Sequence, residues 1–144
     1  MQNYHNLLHR EEEREMIPYC NATGVGLVPW SPLAKGVLAR PWNQRSYRED
    51  NDKFLGALVR NKASEADKLV VSRVQELAAT HEVSMACIAT AWSISKGCCP
   101  IIGMSSKARI DEAVQNAQFR LSSEECEYLE SAYYPKPWLD REDF

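Results

Sequence analysis

Hydrophobic and polar residues form a regular pattern along this chain, in which amphipathic segments alternate with short apolar runs. Apolar residues in the amphipathic segments recur at spacings of three and four, which place them on one face of a helix. These segments predict helices over residues 10–24, 64–81, 84–97, 105–116 and 122–132. The runs 25–30 and 100–103 are short, apolar and bounded by turn signals. They predict buried strands, the first of them buried on both faces.

Serine residues mark where four of these helices begin, because a serine hydroxyl can accept a hydrogen bond from a free amide of the first turn. The expected N-caps are Ser64, Ser84, Ser105 or Ser106, and Ser122, the last in a capping box with Glu125. Helix 84–97 is apolar nearly all round, which predicts deep packing. In helix 105–116, we expect Ile110 and Val114 to face the interior.

Strands that alternate with helices predict a parallel sheet and an α/β fold, in one domain that covers residues 1–144. The first few residues offer a third strand. Residues 34–62 show no sustained apolar period and predict a long loop. The aromatic tail 133–144 either covers a substrate mouth or straps over exposed core. Two or three strands cannot close a barrel of eight, so we expect open sheet edges.

Composition narrows the classes of partner. The 144 residues allow one sizeable core, and 20 acidic against 17 basic residues give a net charge of -3. This balance argues against nucleic acid and anionic membrane surfaces as partners. The sequence shows no signal peptide and no apolar stretch that would span a membrane, which favours a cytoplasmic protein. Five cysteines without a CxxC pair predict free thiols and no metal site.

Two turns that each follow a predicted strand are candidates for ligand binding, because ligands bind at the carboxyl ends of parallel strands. In the turn 30–36, Trp30 can stack on a planar heterocycle, while Lys35 and the amides near Gly36 can approach a pyrophosphate. A core tryptophan followed by a proline turn is the alternative. In the turn 103–109, two hydroxyls and Arg109 at a helix start suit a phosphate monoester. Ordinary helix capping is the alternative there.

Taken in order, these motifs resemble the C-terminal part of the aldo-keto reductases, particularly fungal members that act on aromatic or polyketide-derived carbonyls. The similar stretches are QNYHNLLHREEEREMIPYC, GVGLVPWSPLAKGVLARP, PIIGMSSKARIDEAV and LSSEE. The resemblance implies an eight-stranded parallel barrel of roughly twice this length, of which this chain supplies the last strands and helices. It also implies NADP(H) as cofactor, bound without a Rossmann domain.

The resemblance assigns the cofactor contacts residue by residue. Gln2 matches the glutamine that binds the nicotinamide carboxamide, and Trp30 matches the aromatic residue stacked on the nicotinamide. The pyrophosphate turn would consist of Ser31, Leu33, Lys35 and Gly36. The adenosine end would be held by Ser105, Ser106 and Arg109 at the 2′-phosphate and by Glu112 near the adenine. Met104 and Ala113 depart from the family pattern, which implies a weakened adenine end.

The family's catalytic Asp, Tyr, Lys and His belong to the first half of its barrel, and the motifs that define them are not found in this sequence. We therefore expect a cofactor-binding portion that a complementing chain or self-association completes. The alternatives are a repurposed isomerase, cyclase or lyase with Tyr4, His5 and Lys35 as candidate acid-base groups, or a pseudoenzyme. The run HREEERE predicts a solvated helix face rather than a metal site.

Overall fold

The computed structural model describes residues 1–44 and 64–135. Most of the predicted loop 34–62 and most of the predicted tail 133–144 therefore lie outside the described residues. Within them, α1 spans Met16–Thr23, α2 Glu65–Thr80, α3 Met85–Ser95, α4 Lys107–Asn116 and α5 Ser123–Glu130. Two 3-10 helices cover Glu11–Glu13 and Ala34–Ala39.

The main core lies where α2 and α3 pack together and against α5 and the 3-10 helix Ala34–Ala39. Ser64 begins α2 with a capping box, in which its hydroxyl accepts from the Asp67 amide and the Asp67 carboxylate accepts from the Ser64 amide. Ser84 begins α3, and the helix is buried over most of its length, as its apolar sequence predicts. The fully buried side chains include Leu7, Leu38, Val74, Trp92 and Leu129.

Three extended segments, residues 1–4, 27–30 and 98–101, run parallel with the second between the other two. The amide of Trp30 donates to the Asn3 carbonyl at 2.9 Å, and the amide of Ile101 donates to the Pro29 carbonyl at 2.9 Å. Parallel pairing is confirmed, and the first residues do form a third segment. The segments are joined by isolated β-bridges, one between the first and second segments and two between the second and third.

The stretch 25–30 is buried on one face only, so the prediction of burial on both faces was wrong. Leu27 packs with Ile17 and Cys20 of α1, whereas Val28 is 40% exposed and Trp30 39% exposed. Ile101 in the neighbouring segment is 48% exposed. The helices cover one side of the sheet, and among the described residues nothing comparable covers the other.

The prediction that Ile110 and Val114 face the interior was also wrong. Their side chains are 46% and 61% exposed, and no residue of α4 is buried. The helix is amphipathic, so its apolar spacing was recognised correctly. That face has no described partner to pack against, and packing, rather than spacing alone, decides burial.

The predicted helix 10–24 is divided into the 3-10 turn Glu11–Glu13 and α1, which begins at Met16. Pro18 explains the break, because proline has no amide hydrogen and its ring clashes with the carbonyl four residues earlier, so it is tolerated only in a first turn. The charged run is not a solvated helix face throughout: Arg10 and Glu13 are 15% and 20% exposed in their side chains.

The beginning of the predicted loop 34–62 is ordered as the 3-10 helix Ala34–Ala39, with Ala34, Val37 and Leu38 buried. The prediction of irregular structure was therefore wrong for these residues. Lys35 and Gly36 have left-handed backbone angles inside this stretch, so its geometry is not that of a regular helix.

Candidate functional site

The three extended segments end side by side at Tyr4, Trp30 and Ile101. Because the segments are parallel, the loops that follow them emerge at the same edge of the sheet. These loops carry most of the residues that the sequence assigned to a cofactor. Gln2, which lies on the first segment itself, is exposed.

Trp30 presents an indole ring at this edge. The ring of Tyr4 lies against it, with centroids 4.4 Å apart and an interplanar angle of 31°. Tyr4 in turn lies 4.8 Å from the ring of His9. Burial raises the pKa of Tyr4, so its hydroxyl stays protonated at neutral pH. Trp30 is thus supported by a second aromatic ring and remains 39% exposed, an arrangement suited to stacking on a planar ligand.

The turn 31–36 is tight and held by its own hydrogen bonds. The amide of Lys35 donates to Ser31 Oγ at 2.9 Å, and the amide of Gly36 donates to the Leu33 carbonyl at 2.8 Å. Ser31, Ala34, Lys35 and Gly36 all have positive φ. The amides of Lys35 and Gly36 therefore form hydrogen bonds within the turn and hold its shape. The side chain of Leu33 packs against the core.

Gly36 is required at its position for two reasons. Its φ of +101° is unfavourable for residues with a Cβ. A Cβ there would also lie 3.2 Å from Arg40 Nη1, tighter than ordinary contact. The glycine lets the turn fold back onto the chain that follows it.

The loop before α4 brings together Ser105, Ser106 and Arg109. Arg109 Nη1 donates to Ser105 Oγ at 3.0 Å, and Ser106 is the N-cap whose hydroxyl accepts from the Arg109 amide at 3.4 Å. All three side chains are exposed. A guanidinium and two hydroxyls at a helix N-terminus form an arrangement suited to a phosphate group.

Glu112 lies one turn further along α4 and is already engaged. Its Oε1 accepts from the hydroxyl of Ser84, the N-cap of α3, at 2.6 Å. This bond joins α4 to the start of α3. An adenine contact by Glu112 would have to share the carboxylate with Ser84.

His5 lies in the interior, and its side chain is 1% exposed. Its Nε2 pairs with Glu13 Oε1 at 3.0 Å, and its ring lies 5.0 Å from that of Trp92. His5 thus follows Tyr4 in sequence but contacts a different set of residues. A role in acid-base chemistry at the exposed edge has no support in these contacts.

The partner of His5, Glu13, belongs to a partly buried ionic cluster. Arg10 donates two hydrogen bonds of 2.8 Å to the Glu13 carboxylate, one of 2.7 Å to the Glu130 carboxylate and one of 3.3 Å to the Glu130 carbonyl. Lys96 Nζ lies 2.6 Å from Glu130 Oε1, which also accepts from Trp92 Nε1 at 2.8 Å. The cluster ties the start of the chain to α3 and α5. The spacing of Arg10 and Glu13 by three residues is the sequence signal that predicts their pairing.

Tyr133 closes the same cluster from the end of the described chain. Its hydroxyl accepts from the Arg10 amide at 3.2 Å and donates to Glu11 Oε1 at 2.9 Å. Burial raises the pKa of Tyr133 to about 12. These two bonds fasten the first residue of the tail to residues 10 and 11.

The cysteines are free thiols, as their number and spacing predict. Burial raises the pKa of Cys98 to about 11, which keeps this thiol protonated. Within residues 1–44 and 64–135, no group of three or more His, Cys, Asp or Glu side chains could hold a metal ion. Across those same ranges, none of the helices has the length and apolar character needed to cross a bilayer.

Residues 1–134 match the model of the aldo/keto reductase family. A versiconal hemiacetal acetate reductase from Aspergillus parasiticus is 56% identical over 138 residues, which are 94% of this chain and 40% of that protein. An aldo-keto reductase from Fusarium vanettenii is 48% identical over 139 residues, which are 95% of this chain and 37% of that protein. The chain thus spans about 40% of the length of such relatives.

Among solved structures, the glycerol dehydrogenase from Gluconobacter oxydans superposes with a TM-score of 0.73 at 17% identity. The alignment covers 97% of this chain and 44% of that one. The similarity shows a shared fold, a (β/α)8 barrel of which this chain forms a part. By the match of the family model to residues 1–134, the chain belongs to the aldo/keto reductase family.

Proposed function

We propose that this chain is the NADP(H)-binding portion of an aldo-keto reductase that acts on small carbonyl or alcohol substrates. The observation that carries the proposal is the pairing of Arg109 with Ser105 at the start of α4, which follows the last of the three parallel segments. A guanidinium fixed beside a hydroxyl discriminates a phosphate from a ribose hydroxyl. The same edge of the sheet presents Trp30.

The remaining contacts follow the path of an extended dinucleotide. Trp30 would stack on the nicotinamide, and the exposed Gln2 would bind its carboxamide. Ser31, Leu33, Lys35 and Gly36 would form the pyrophosphate turn, with the ammonium of Lys35 supplying charge. Ser105, Ser106 and Arg109 would hold the 2′-phosphate. NADPH, when bound, supplies the hydride for reduction of a carbonyl.

The substrate class is suggested by the relatives. One of them is named as a reductase of versiconal hemiacetal acetate. We therefore propose a carbonyl or polyketide-type substrate of fungal secondary metabolism, handled in the cytoplasm. The proton donor for the carbonyl oxygen would come from outside these 144 residues, because none of Tyr4, His5 and Lys35 lies in the family's catalytic motifs.

An enzyme without redox chemistry is the second candidate, and one observation favours it. Met104 is 48% exposed beside Ser105, and Val28 and Ile101 are exposed near Trp30. An apolar substrate of an isomerase, cyclase or lyase would bury these side chains. A pseudoenzyme with a scaffolding role would bind neither cofactor nor substrate.

The test is a titration of the purified chain with NADPH and with NADH, followed by tryptophan fluorescence. We expect Arg109→Ala to weaken NADPH about tenfold or more and NADH much less, because only NADPH carries the 2′-phosphate. Arg120→Ala is the matched control, since this exposed arginine contacts only carbonyls of its own turn in the hydrogen bonds described. Equal losses for both cofactors would contradict the proposal.

The aromatic contact is tested in the same titration. Trp30→Ala should abolish saturable quenching, since the indole is both the reporter and the stacking surface. To separate those two roles, binding is also measured by calorimetry, which does not depend on the indole. No binding by the unaltered chain at millimolar NADPH would reject the proposal and favour the second candidate.

A further inference from the structure

Asn6 is a fully buried amide in the loop that follows the first extended segment. The amide nitrogen and the amide oxygen of its side chain both form hydrogen bonds. Its Nδ2 donates to the Ser31 carbonyl at 3.1 Å, and its Oδ1 accepts from the Leu8 amide at 2.9 Å. One side chain thus fastens the loop after the first segment to the turn after the middle segment.

The residue that Asn6 fastens has an unfavourable backbone conformation. Ser31 has a φ of +55°, in the left-handed region that residues with a Cβ rarely adopt. Such a conformation persists only when its surroundings hold it. The bond from Asn6 to the Ser31 carbonyl is one such restraint.

The conformation of Ser31 is transmitted to the rest of the turn. Its Oγ accepts from the Lys35 amide at 2.9 Å, and its carbonyl also accepts from the Ala34 amide at 3.0 Å. Ala34 and Lys35 have positive φ as well. If Ser31 relaxed, these bonds would lose their acceptors, and the turn would lose its shape.

From these contacts we infer that Asn6 is a positioning residue for the turn 31–36, acting on ligand affinity through Ser31 rather than by contact. The inference rests on the proposed function, in which this turn holds the pyrophosphate of NADPH. Asn6 is 0% exposed, so it cannot reach the ligand itself. It contributes by keeping the turn in the binding conformation before the ligand arrives.

This role predicts that substitution of Asn6 changes the affinity for one ligand and not for another. NADPH spans the turn 31–36 and the loop 103–109. Adenosine 2′-monophosphate carries the 2′-phosphate and lacks both the pyrophosphate and the nicotinamide half, so it engages the loop at Arg109 and not the turn 31–36. Loss of a positioning residue at Ser31 should therefore weaken the first ligand and leave the second unchanged, whereas general destabilisation would affect both.

The variant that tests this is Asn6→Asp, which keeps an oxygen for the Leu8 amide and removes the donor to Ser31. We expect NADPH to bind about tenfold more weakly, a change of ~1.4 kcal/mol, and adenosine 2′-monophosphate to bind within about twofold of the unaltered chain. Ser93→Ala is the control, because Ser93 is equally buried and lies on α3. A uniform loss for both ligands would overturn the inference.

A second measurement needs no ligand. Hydrogen exchange of the Lys35 amide should accelerate about tenfold or more in Asn6→Asp and stay unchanged in Ser93→Ala. If the buried aspartate prevents folding, Asn6→Ala removes the donor to Ser31 without adding a charge, and it also removes the acceptor of the Leu8 amide. Unchanged exchange would refute the role of Asn6. Failure of the unaltered chain to bind NADPH would reject the proposed function instead, and exchange would still decide the question about Asn6.

Discussion

At Glu13, burial and hydrogen bonding act in opposite directions on the pKa of one carboxylate. Burial alone would raise it, but hydrogen bonds from Arg10 and His5, with the charge of Lys96, outweigh burial and lower the pKa from 4.5 to about 2. Because the folded-state pKa lies below the unfolded one, the carboxylate stabilises the fold above about pH 4.5. This contribution is lost as the pH falls towards about 2.

Glu13→Gln should therefore destabilise the chain by about 2 kcal/mol at pH 7, because it removes one of the two carboxylates that pair with Arg10 and leaves only Glu130. Chemical denaturation across pH 2–7 measures the effect. The difference between variant and unaltered chain should shrink as the pH falls towards 2. Glu12→Gln in the same turn is the control, and a difference that does not depend on pH would contradict this account.

The residue types at the candidate site were predictable, but their partners were not. Trp30, Lys35 and Arg109 stand in motifs with a recognisable chemistry. By contrast, the burial of His5 against Trp92 joins residues far apart in sequence. The type of a residue indicates the chemistry it can perform, whereas its contacts depend on which elements pack together.

Among the helices, α5 shows how a local signal fixes one end of an element. The hydroxyl of Ser122 accepts from the Glu125 amide at 3.2 Å, and the Glu125 carboxylate accepts from the Ser122 amide at 2.8 Å. Glu125 also pairs with His81 at the end of α2. Glu125 therefore completes the cap of α5 and also connects this helix to the end of α2.

Ser122→Ala should lower the free energy of unfolding by about 1 kcal/mol, since it removes the oxygen that satisfies an amide of the first turn. Thermal or denaturant unfolding measures this loss. Ser123→Ala, at the next position and also exposed, should have little effect and is the matched control. Equal effects of the two substitutions would mean that the cap contributes nothing.

Elements with strong local signals were predicted well, and those shaped by proline or left-handed residues were not. The capped helices α2, α3 and α5 begin where their serines indicate. The helix expected from residue 10 begins only at Met16, because of Pro18. The 3-10 helix Ala34–Ala39 has no apolar period, because Lys35 and Gly36 interrupt it.

At the scale of the whole molecule, residues 1–44 and 64–135 expose two apolar surfaces. One is the open side of the sheet at Val28, Trp30 and Ile101, and the other is the face of α4 at Ile110 and Val114. Exposed apolar groups of this kind mark interaction surfaces. The relatives are longer than this chain by more than twofold, and the remaining elements of a complete barrel would cover such surfaces.

We therefore predict that the chain associates with itself when no complementing chain is present. Sedimentation at micromolar concentration should show a dimer or larger species. Ile110→Gln with Val114→Gln should shift the distribution towards monomer and leave the unfolding midpoint nearly unchanged, because no residue of α4 is buried. Leu69→Gln, at an exposed leucine of α2, is the control. A compact monomer for the unaltered chain would contradict the prediction.

The sequence by itself determined the order of the elements, the parallel pairing, the caps and the types of residue at the candidate site, because these depend on short-range spacing and side-chain chemistry. Only the tertiary structure decided which apolar faces are covered, where Glu13 and His5 lie, and how Asn6 fastens Ser31. These features depend on contacts between distant segments. An amphipathic face or a charged run has the same sequence whether or not a partner packs against it.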